Sequence, residues 1–193
     1  MKKTQNKPKQ GDILLTHNYG LFGLYVRAVT KSYWNHCTLY IGNNQIIDIL
    51  GRGIRILDYT KYYENKVSHK FIRVKGLSEY KIKQVCEHAK TFIGRRYNFL
   101  LPFGIYNQSG AYTCSDFITK VFSDNGITLY TKSLMVSPAD LNESDRTYDI
   151  DNPPNRQKEI ETIVRIIKKT MRKHNMTLEE FIKEFEKPEI EEK

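Results

Sequence analysis

Three residues of this chain have the types that nucleophilic catalysis needs, and each stands where a regular element would hold it: Cys114, His36 and Asp48. Cys114 lies in Tyr112-Thr113-Cys114-Ser115-Asp116-Phe117-Ile118. Thr113 is suited to cap a helix, and Asp116, three residues on, can return a hydrogen bond to that cap. Apolar residues at Phe117, Ile118, Val121 and Phe122 mark one helical face, and Cys114 extends it at its N-terminal end. A thiol in the first turn of a helix feels the partial positive charge of that terminus, which favours thiolate, the nucleophilic form. The same placement suits a small buried cysteine, so partner residues have to decide between the two.

A catalytic thiol needs an imidazole, and the imidazole needs an acceptor that orients it. His36 opens His36-Cys37-Thr38-Leu39-Tyr40-Ile41, which is followed by Gly42-Asn43-Asn44 and then Gln45-Ile46-Ile47-Asp48-Ile49-Leu50. Two β-rich runs around a Gly-Asn turn predict a hairpin. Alternation puts His36, Thr38 and Tyr40 on one face and Cys37, Leu39 and Ile41 on the other, and the all-apolar face is expected to be core. Register decides whether Asp48 reaches His36. A two-residue loop, Asn43-Asn44, pairs Leu39 with Asp48 and turns the acid away from His36. A three-residue loop, Gly42-Asn43-Asn44, pairs Thr38 with Asp48 and leaves the acid diagonal to His36, about 7 Å away at Cβ. An acid among Ile46, Ile47, Ile49 and Leu50 serves packing poorly; the competing reading is an exposed acid on a strand face. His17, His69 and His174 have no acid or cysteine placed with them in a comparable setting, and His88 lies off the apolar stripe of its helix.

The elements that must position these groups follow from the rest of the chain. Its 193 residues suit one domain, or one domain with an appendage, and an apolar fraction of 39% is enough for a core. Lys and Arg outnumber Asp and Glu by 31 to 22, giving +9, a balance suited to an anionic membrane surface, nucleic acid or an acidic polymer. Cys37, Cys86 and Cys114 form an odd, widely spaced set without a CxxC pair, so neither a zinc site nor a disulfide framework is indicated, and no cofactor is expected. No apolar run approaches the roughly 18 residues of a membrane span, and the basic start has no apolar stretch behind it. A reducing, cytoplasmic setting is expected.

In chain order, residues 1–10 read as a disordered basic arm, Ile13 to Thr16 as a short strand, and Leu21 to Trp34 as a helix weakened at its start by Gly20 and Gly23. After the hairpin come strands at Ile54 to Leu57 and Phe71 to Val74. Tyr59 to Glu64 between them is irregular or a short helix. Ser78 caps a helix running to about Phe92, with a stripe that makes Cys86 core. An aromatic, Gly-containing loop from Leu100 to Gly110 precedes the Cys114 helix, and Ser137-Pro138 starts another. Beyond Asn152-Pro153-Pro154-Asn155 the chain turns charged and helical. Ile160, Ile163, Val164, Ile167 and Met171 form one stripe, and Thr177-Leu178-Glu179-Glu180 is a capping box for a second helix. Residues 151–193 are thus read as a helical hairpin, 11–150 as the main domain. The hairpin could pack back, bind a partner or pair two copies of the chain.

The order Gly11-Asp12-Ile13, His36 opening a strand that ends Tyr40-Ile41-Gly42-Asn43, Ile46-Ile47-Asp48, Gly94-x-x-Tyr97 and Tyr112-Thr113-Cys114-Ser115-Asp116 resembles the circularly permuted NlpC-like cysteine hydrolases, the YiiX-type branch of the papain-like superfamily. The resemblance covers about residues 11–145. It implies an α+β fold, a small antiparallel sheet or half-barrel packed on the Cys114 helix. It further implies a triad of Cys114 as nucleophile, His36 as base and Asp48 as the orienting acid, where the family often carries Glu. Tyr97 matches an oxyanion-binding tyrosine, acting with the backbone N–H of Cys114. Tyr112, Thr38 and Tyr40 are expected to contact substrate. Relatives act on amides of cell-wall peptides, on other small peptides or on acyl lipids. The expected activity is therefore a cysteine peptidase or amidase working through a thioester. The alternatives are an acyl-lipid hydrolase or acyltransferase with the same triad, and an inactive binding module with a basic surface. Nucleic acid is not an expected partner.

Overall fold

The computed structural model describes residues 6–18, 21–30, 32–50, 52–63, 68–98, 111–130 and 136–151, together with 168, 169, 171–173, 176, 177 and 180. The chain divides into two compact units, Met1–Pro153 and Pro154–Lys193.

The first unit holds one antiparallel sheet of six strands: β1 (Ile13–His17), β2 (His36–Gly42), β3 (Gln45–Leu50), β4 (Gly53–Asp58), β5 (Ser68–Val74) and β6 (Thr147–Asp149), in the order β4-β3-β2-β1-β5-β6. The helices described are α1 (Leu21–Thr30), α2 (Tyr59–Tyr63), α3 (Glu79–Lys90), α4 (Cys114–Ser123) and α5 (Pro138–Glu143). The short edge strand β6 has no signal in the sequence.

β1 is central, and Ile13, Leu14 and Leu15 are fully buried. That is what a continuous apolar run requires, because both faces of the strand must be covered. On one face Ile13, Leu15, Cys37, Leu39, Ile47 and Ile72 share a core with Val85, Cys86 and Ala89 of α3 and with Phe117, Ile118, Val121 and Phe122 of α4. Complete burial of Phe117 and Phe122 contributes roughly 1.5–3 kcal/mol each. On the other face Leu14, Phe71 and Ile150 form a smaller cluster with Tyr40, Tyr59, Tyr62 and Tyr148 around them. Its rings meet edge-on, with Tyr59 and Tyr40 centroids 5.4 and 5.9 Å from that of Phe71. This second cover takes the face that carries His36 out of solvent.

Two local features fix how the sheet meets its surroundings. Gly53 has φ +86°, and a Cβ there would lie 2.4 Å from the carbonyl oxygen of Arg95. Only glycine lets β4 approach the 94–95 backbone, where Ile54 N–H donates to Arg95 O and Gly94 N–H to Ile54 O, both at 2.9 Å. At the opposite edge Arg73 donates from Nε and Nη2 to the two carboxylate oxygens of buried Asp12, each at 2.7 Å.

Residues 6–10, within the expected basic arm, make contacts with the domain. Asn6 donates from its backbone N–H to Asp151 and from its side chain to Ile150 O, and Lys9 N–H donates to Asp12. Residues 6–10 are therefore tied to the domain, while 1–5 lie outside the described residues. In the second unit the expected capping box forms: Glu180 accepts from the backbone and side chain of Thr177, and Glu180 N–H donates back to Thr177 Oγ1. The stripe at 160–167 and the 99–110 loop lie outside the described residues.

Candidate active site

α4 starts where its capping signal says it should. Thr113 has extended φ/ψ, its Oγ1 accepts from Asp116 N–H, and the Asp116 carboxylate accepts from Thr113 N–H, a complete capping box. Cys114 is thereby the first residue of the helix, 5% exposed. Ser115 Oγ donates to Val136 O, which holds the segment before α5 against the start of α4.

The hairpin joins β2 to β3 by a route that neither simple loop describes. Asn43 and Asn44 have φ of 51° and 59°, the left-handed pair of a tight two-residue turn, with Gly42 opposite Gln45. Continued unchanged, that register would set Leu39 opposite Asp48. Between Tyr40 and Gly42 it shifts by one residue, so Tyr40 pairs with Ile46 and Leu39 with Ile47. The shift brings Asp48 onto the face of His36. There Asp48 Oδ1 lies 2.6 Å from His36 Nε2, with both side chains buried. With Nε2 engaged, Nδ1 is the ring nitrogen left for proton exchange.

The electrostatics tie that histidine to the cysteine. Burial works against a charge on His36, but the neighbouring Cys114 and Asp48 charges and their hydrogen bonds outweigh it and raise its pKa to about 10. The Cys114 thiol is pushed well below its ordinary range. Its hydrogen bond with the Cys37 side chain is the largest cause. Burial opposes, and the His36 charge, a His36 hydrogen bond and the Cys37 backbone add to the fall. Both shifts favour the charged forms, imidazolium on His36 and thiolate on Cys114. Tyr97 is buried, and burial followed by the Cys114 charge pushes its phenol up, so it stays protonated as a donor.

A narrow pocket of about 50 Å³ opens beside Cys114, with Val26 and Thr30 of α1, Asn35, Tyr97, Val136 and Pro138 among its walls. Tyr97 and Tyr112 are joined by a parallel bridge, which carries Tyr97 to this pocket. A larger concavity of about 660 Å³ around Leu129, Tyr130, Ser144 and Arg146 holds none of the expected site residues.

The three expected substrate contacts lie away from the pocket beside Cys114. Thr38 is fully buried, paired with Leu14 on β1. The Tyr40 ring packs on Tyr59 and Phe71, and Tyr112 packs on Phe92 and accepts from Arg95 Nη1. None of the three lines the pocket beside Cys114 among the described residues. Alternation directs Thr38 and Tyr40 toward the second aromatic cluster, and Tyr112 packs against the main core.

Residues that sequence reasoning passed over do line or hold the site. Asn35 donates to Asn18 O and Gly23 O and accepts from Asn18 N–H, which fastens α1 to the start of β2. Gly23 is required there, since a Cβ would sit 2.6 Å from the backbone oxygen of Asn18 and 2.7 Å from Asn35 Nδ2. A glycine in the first turn of α1 is the signal the sequence offers. Cys37 was assigned only to the core by alternation. Asp48 Oδ2, Thr38 Oγ1 and Arg55 Nε are buried without a hydrogen-bond partner among the described residues, and Arg55 stands opposite Asp48 in the β3–β4 register. Among the described residues no group of three or more His, Cys, Asp or Glu is placed to hold a metal ion.

Comparison with known proteins gives consistent matches. The profile of the permuted papain-like amidases, YaeF/YiiX, matches residues 7–177, a longer span than the 11–145 that the motifs cover. A curated relative from Escherichia coli, "Probable lipoprotein peptidase YaeF", is 22% identical over 170 residues. The match takes in 69% of this chain and 62% of the relative's length. The crystal structure of the metalloprotein YiiX from Escherichia coli is similar with a TM-score of 0.65 and 16% identity, covering 74% of this chain and 96% of that one. At that identity the likeness speaks for the fold.

Proposed function

The chain belongs to the YaeF/YiiX family of permuted papain-like amidases, and from that premise we propose that it cleaves amide bonds of small peptides or amino-acyl compounds with Cys114, His36 and Asp48. The single observation that carries the assignment of roles is the buried 2.6 Å contact between His36 and Asp48, with the charge of Cys114 acting on the same imidazole.

In this reading the Cys114 thiolate attacks the substrate carbonyl carbon. The oxyanion accepts hydrogen bonds from the Tyr97 phenol and the Cys114 backbone N–H. As the tetrahedral intermediate collapses, the His36 imidazolium gives its Nδ1 proton to the leaving amine, and a thioester remains on Cys114. Neutral His36 then takes a proton from water, whose hydroxyl attacks the thioester. The acid departs, and thiolate and imidazolium are restored. Asp48 fixes the ring orientation throughout. All three cysteines are free, which fits a reducing, cytoplasmic compartment; among the described residues no helix is long and apolar enough to cross a membrane.

The test is turnover of a panel of peptidyl and amino-acyl amides by the wild type and Cys114→Ala, with circular dichroism to compare folding. Loss of product release in a folded Cys114→Ala is expected; undiminished turnover would overturn the assignment. The apolar pocket walls Val26, Val136 and Pro138, with the net charge of +9, favour a second reading in which the acyl group comes from a lipid at an anionic surface. Co-sedimentation with anionic liposomes accompanied by fatty-acid release would select it.

A further inference from the structure

The pocket beside Cys114 is more apolar than its residue types alone suggest. Val26, Val136 and Pro138 supply apolar walls, and no charged side chain lines it among the described residues. Its polar walls are turned toward the protein. Thr30 Oγ1 donates to Val26 O at 2.8 Å, Ser115 Oγ to Val136 O at 2.5 Å and Ser137 Oγ to Asp140 at 2.7 Å. Thr113 Oγ1 donates to Asp116 at 2.6 Å, and Asn35 commits its Nδ2 hydrogens to Asn18 O and Gly23 O. A carboxylate entering the pocket would meet no donor from these side chains, and an ammonium would meet no counter-charge. Either would lose its water without replacement.

The pocket also lies on one side of the reacting bond. Cys114 and Tyr97, the two proposed sources of oxyanion donors, line it, and His36 does not. The leaving amine has to lie by His36 to take its proton, which leaves the pocket to the acyl group on the other side of the carbonyl. Its volume of about 50 Å³ is roughly a third of the ~150 Å³ cavity that admits benzene. That space suits a methyl or isopropyl group and excludes a ring or a fatty chain. We propose that this pocket is a subsite for acyl residues with a small, uncharged, apolar side chain, alanine above all, and that Val26 and Val136 set its size limit. The proposal deepens the amidase reading and rests on Cys114 as its nucleophile.

The probes are N-acetylaminoacyl chloromethyl ketones with Ala, Leu, Phe, Glu or Lys side chains, and decanoyl chloromethyl ketone. The Cys114 thiolate displaces chloride and forms a thioether, which intact-mass spectrometry times and peptide mapping places. The alanyl ketone is expected to label Cys114 about tenfold faster or more than each of the others, since a misfit of one methylene in an apolar pocket is worth about 10–200-fold. In Val136→Ala the leucyl ketone should gain about tenfold on the alanyl one. Val26→Ala, with circular dichroism on both variants, makes the same measurement if Val136→Ala does not fold. Equal rates across the set, a preference for the leucyl, phenylalanyl or charged ketones, or an unchanged ratio in the folded variant would overturn the subsite and leave Cys114 as nucleophile. A preference for the decanoyl ketone would overturn it in favour of the lipid reading. A Cys114 that none of the ketones labels would overturn both the subsite and the amidase reading.

Discussion

Asp48 lies 2.6 Å from His36 because β2 gains one residue between Tyr40 and Gly42. Without that shift the two-residue turn at Asn43 and Asn44 would turn the carboxylate to the opposite face of the sheet. The position of the acid beside the imidazole therefore depends on a local irregularity four to six residues along β2 from the histidine, a feature of backbone geometry that side-chain identity does not announce.

The charge state of the pair sets a pH window. His36 is raised to about 10, burial opposing and Cys114 with Asp48 prevailing. A raised histidine contributes its full stability below its unfolded value, about 6.5, and loses it as the pH climbs through about 10. Cys114 has the opposite sign: its pKa is lowered, so its contribution is present above the ordinary value of 9.0 and fades as pH falls through the folded one. Both charges coexist between the lowered Cys114 value and about 10. Asp48→Asn should lower kcat/KM by about 10²-fold and move the alkaline limb of the pH profile downward. An alkaline limb that stays in place would show that Asp48 does not hold the imidazolium.

Tyr97→Phe removes a donor and leaves the ring. If the phenol binds the oxyanion, kcat falls by about 10²-fold with KM little changed, since the interaction strengthens only as charge develops. A rise in KM with kcat intact would instead make Tyr97 a wall of the pocket.

Gly53→Ala tests the docking of β4 on the segment that leads to Tyr97. Its φ of +86° and the 2.4 Å approach to Arg95 O both oppose a Cβ. A loss of about 2 kcal/mol or more in urea unfolding is expected. Wild-type stability in this variant would mean that β4 and the 94–95 backbone do not meet so closely.

Arg73→Met leaves Asp12 buried without its bidentate partner. The expected cost is about 3 kcal/mol by chemical denaturation, partly recovered in Arg73→Met with Asp12→Asn. Specific activity per folded molecule should hold, which separates this structural pair from the His36–Asp48 pair.

The elements were largely legible because their signals are local. Thr113 with Asp116, Ser137 with Asp140, and Thr177 with Glu180 each close a capping box within four residues. The apolar stripe of α4 and the alternation of β2 likewise need no knowledge of distant neighbours. The short β6 escaped notice because three residues carry too little pattern. That Tyr59, Tyr62 and Phe71 cover the face of Thr38 and Tyr40 is not legible in the sequence, because the covering residues lie in distant segments.

By itself the sequence determined which residues could react and which element would carry each: Cys114 at the start of a capped helix, His36 at the start of a strand, Asp48 on the next strand. Tertiary structure alone decided that the register shift turns Asp48 toward His36, that α4 shares one core with β2, and that the whole group is buried. Caps and periodicities are satisfied within a few residues of one another. Register, the placement of a helix on a sheet and the exclusion of water are settled by contacts between segments distant in the chain, whose free energy no single segment contains.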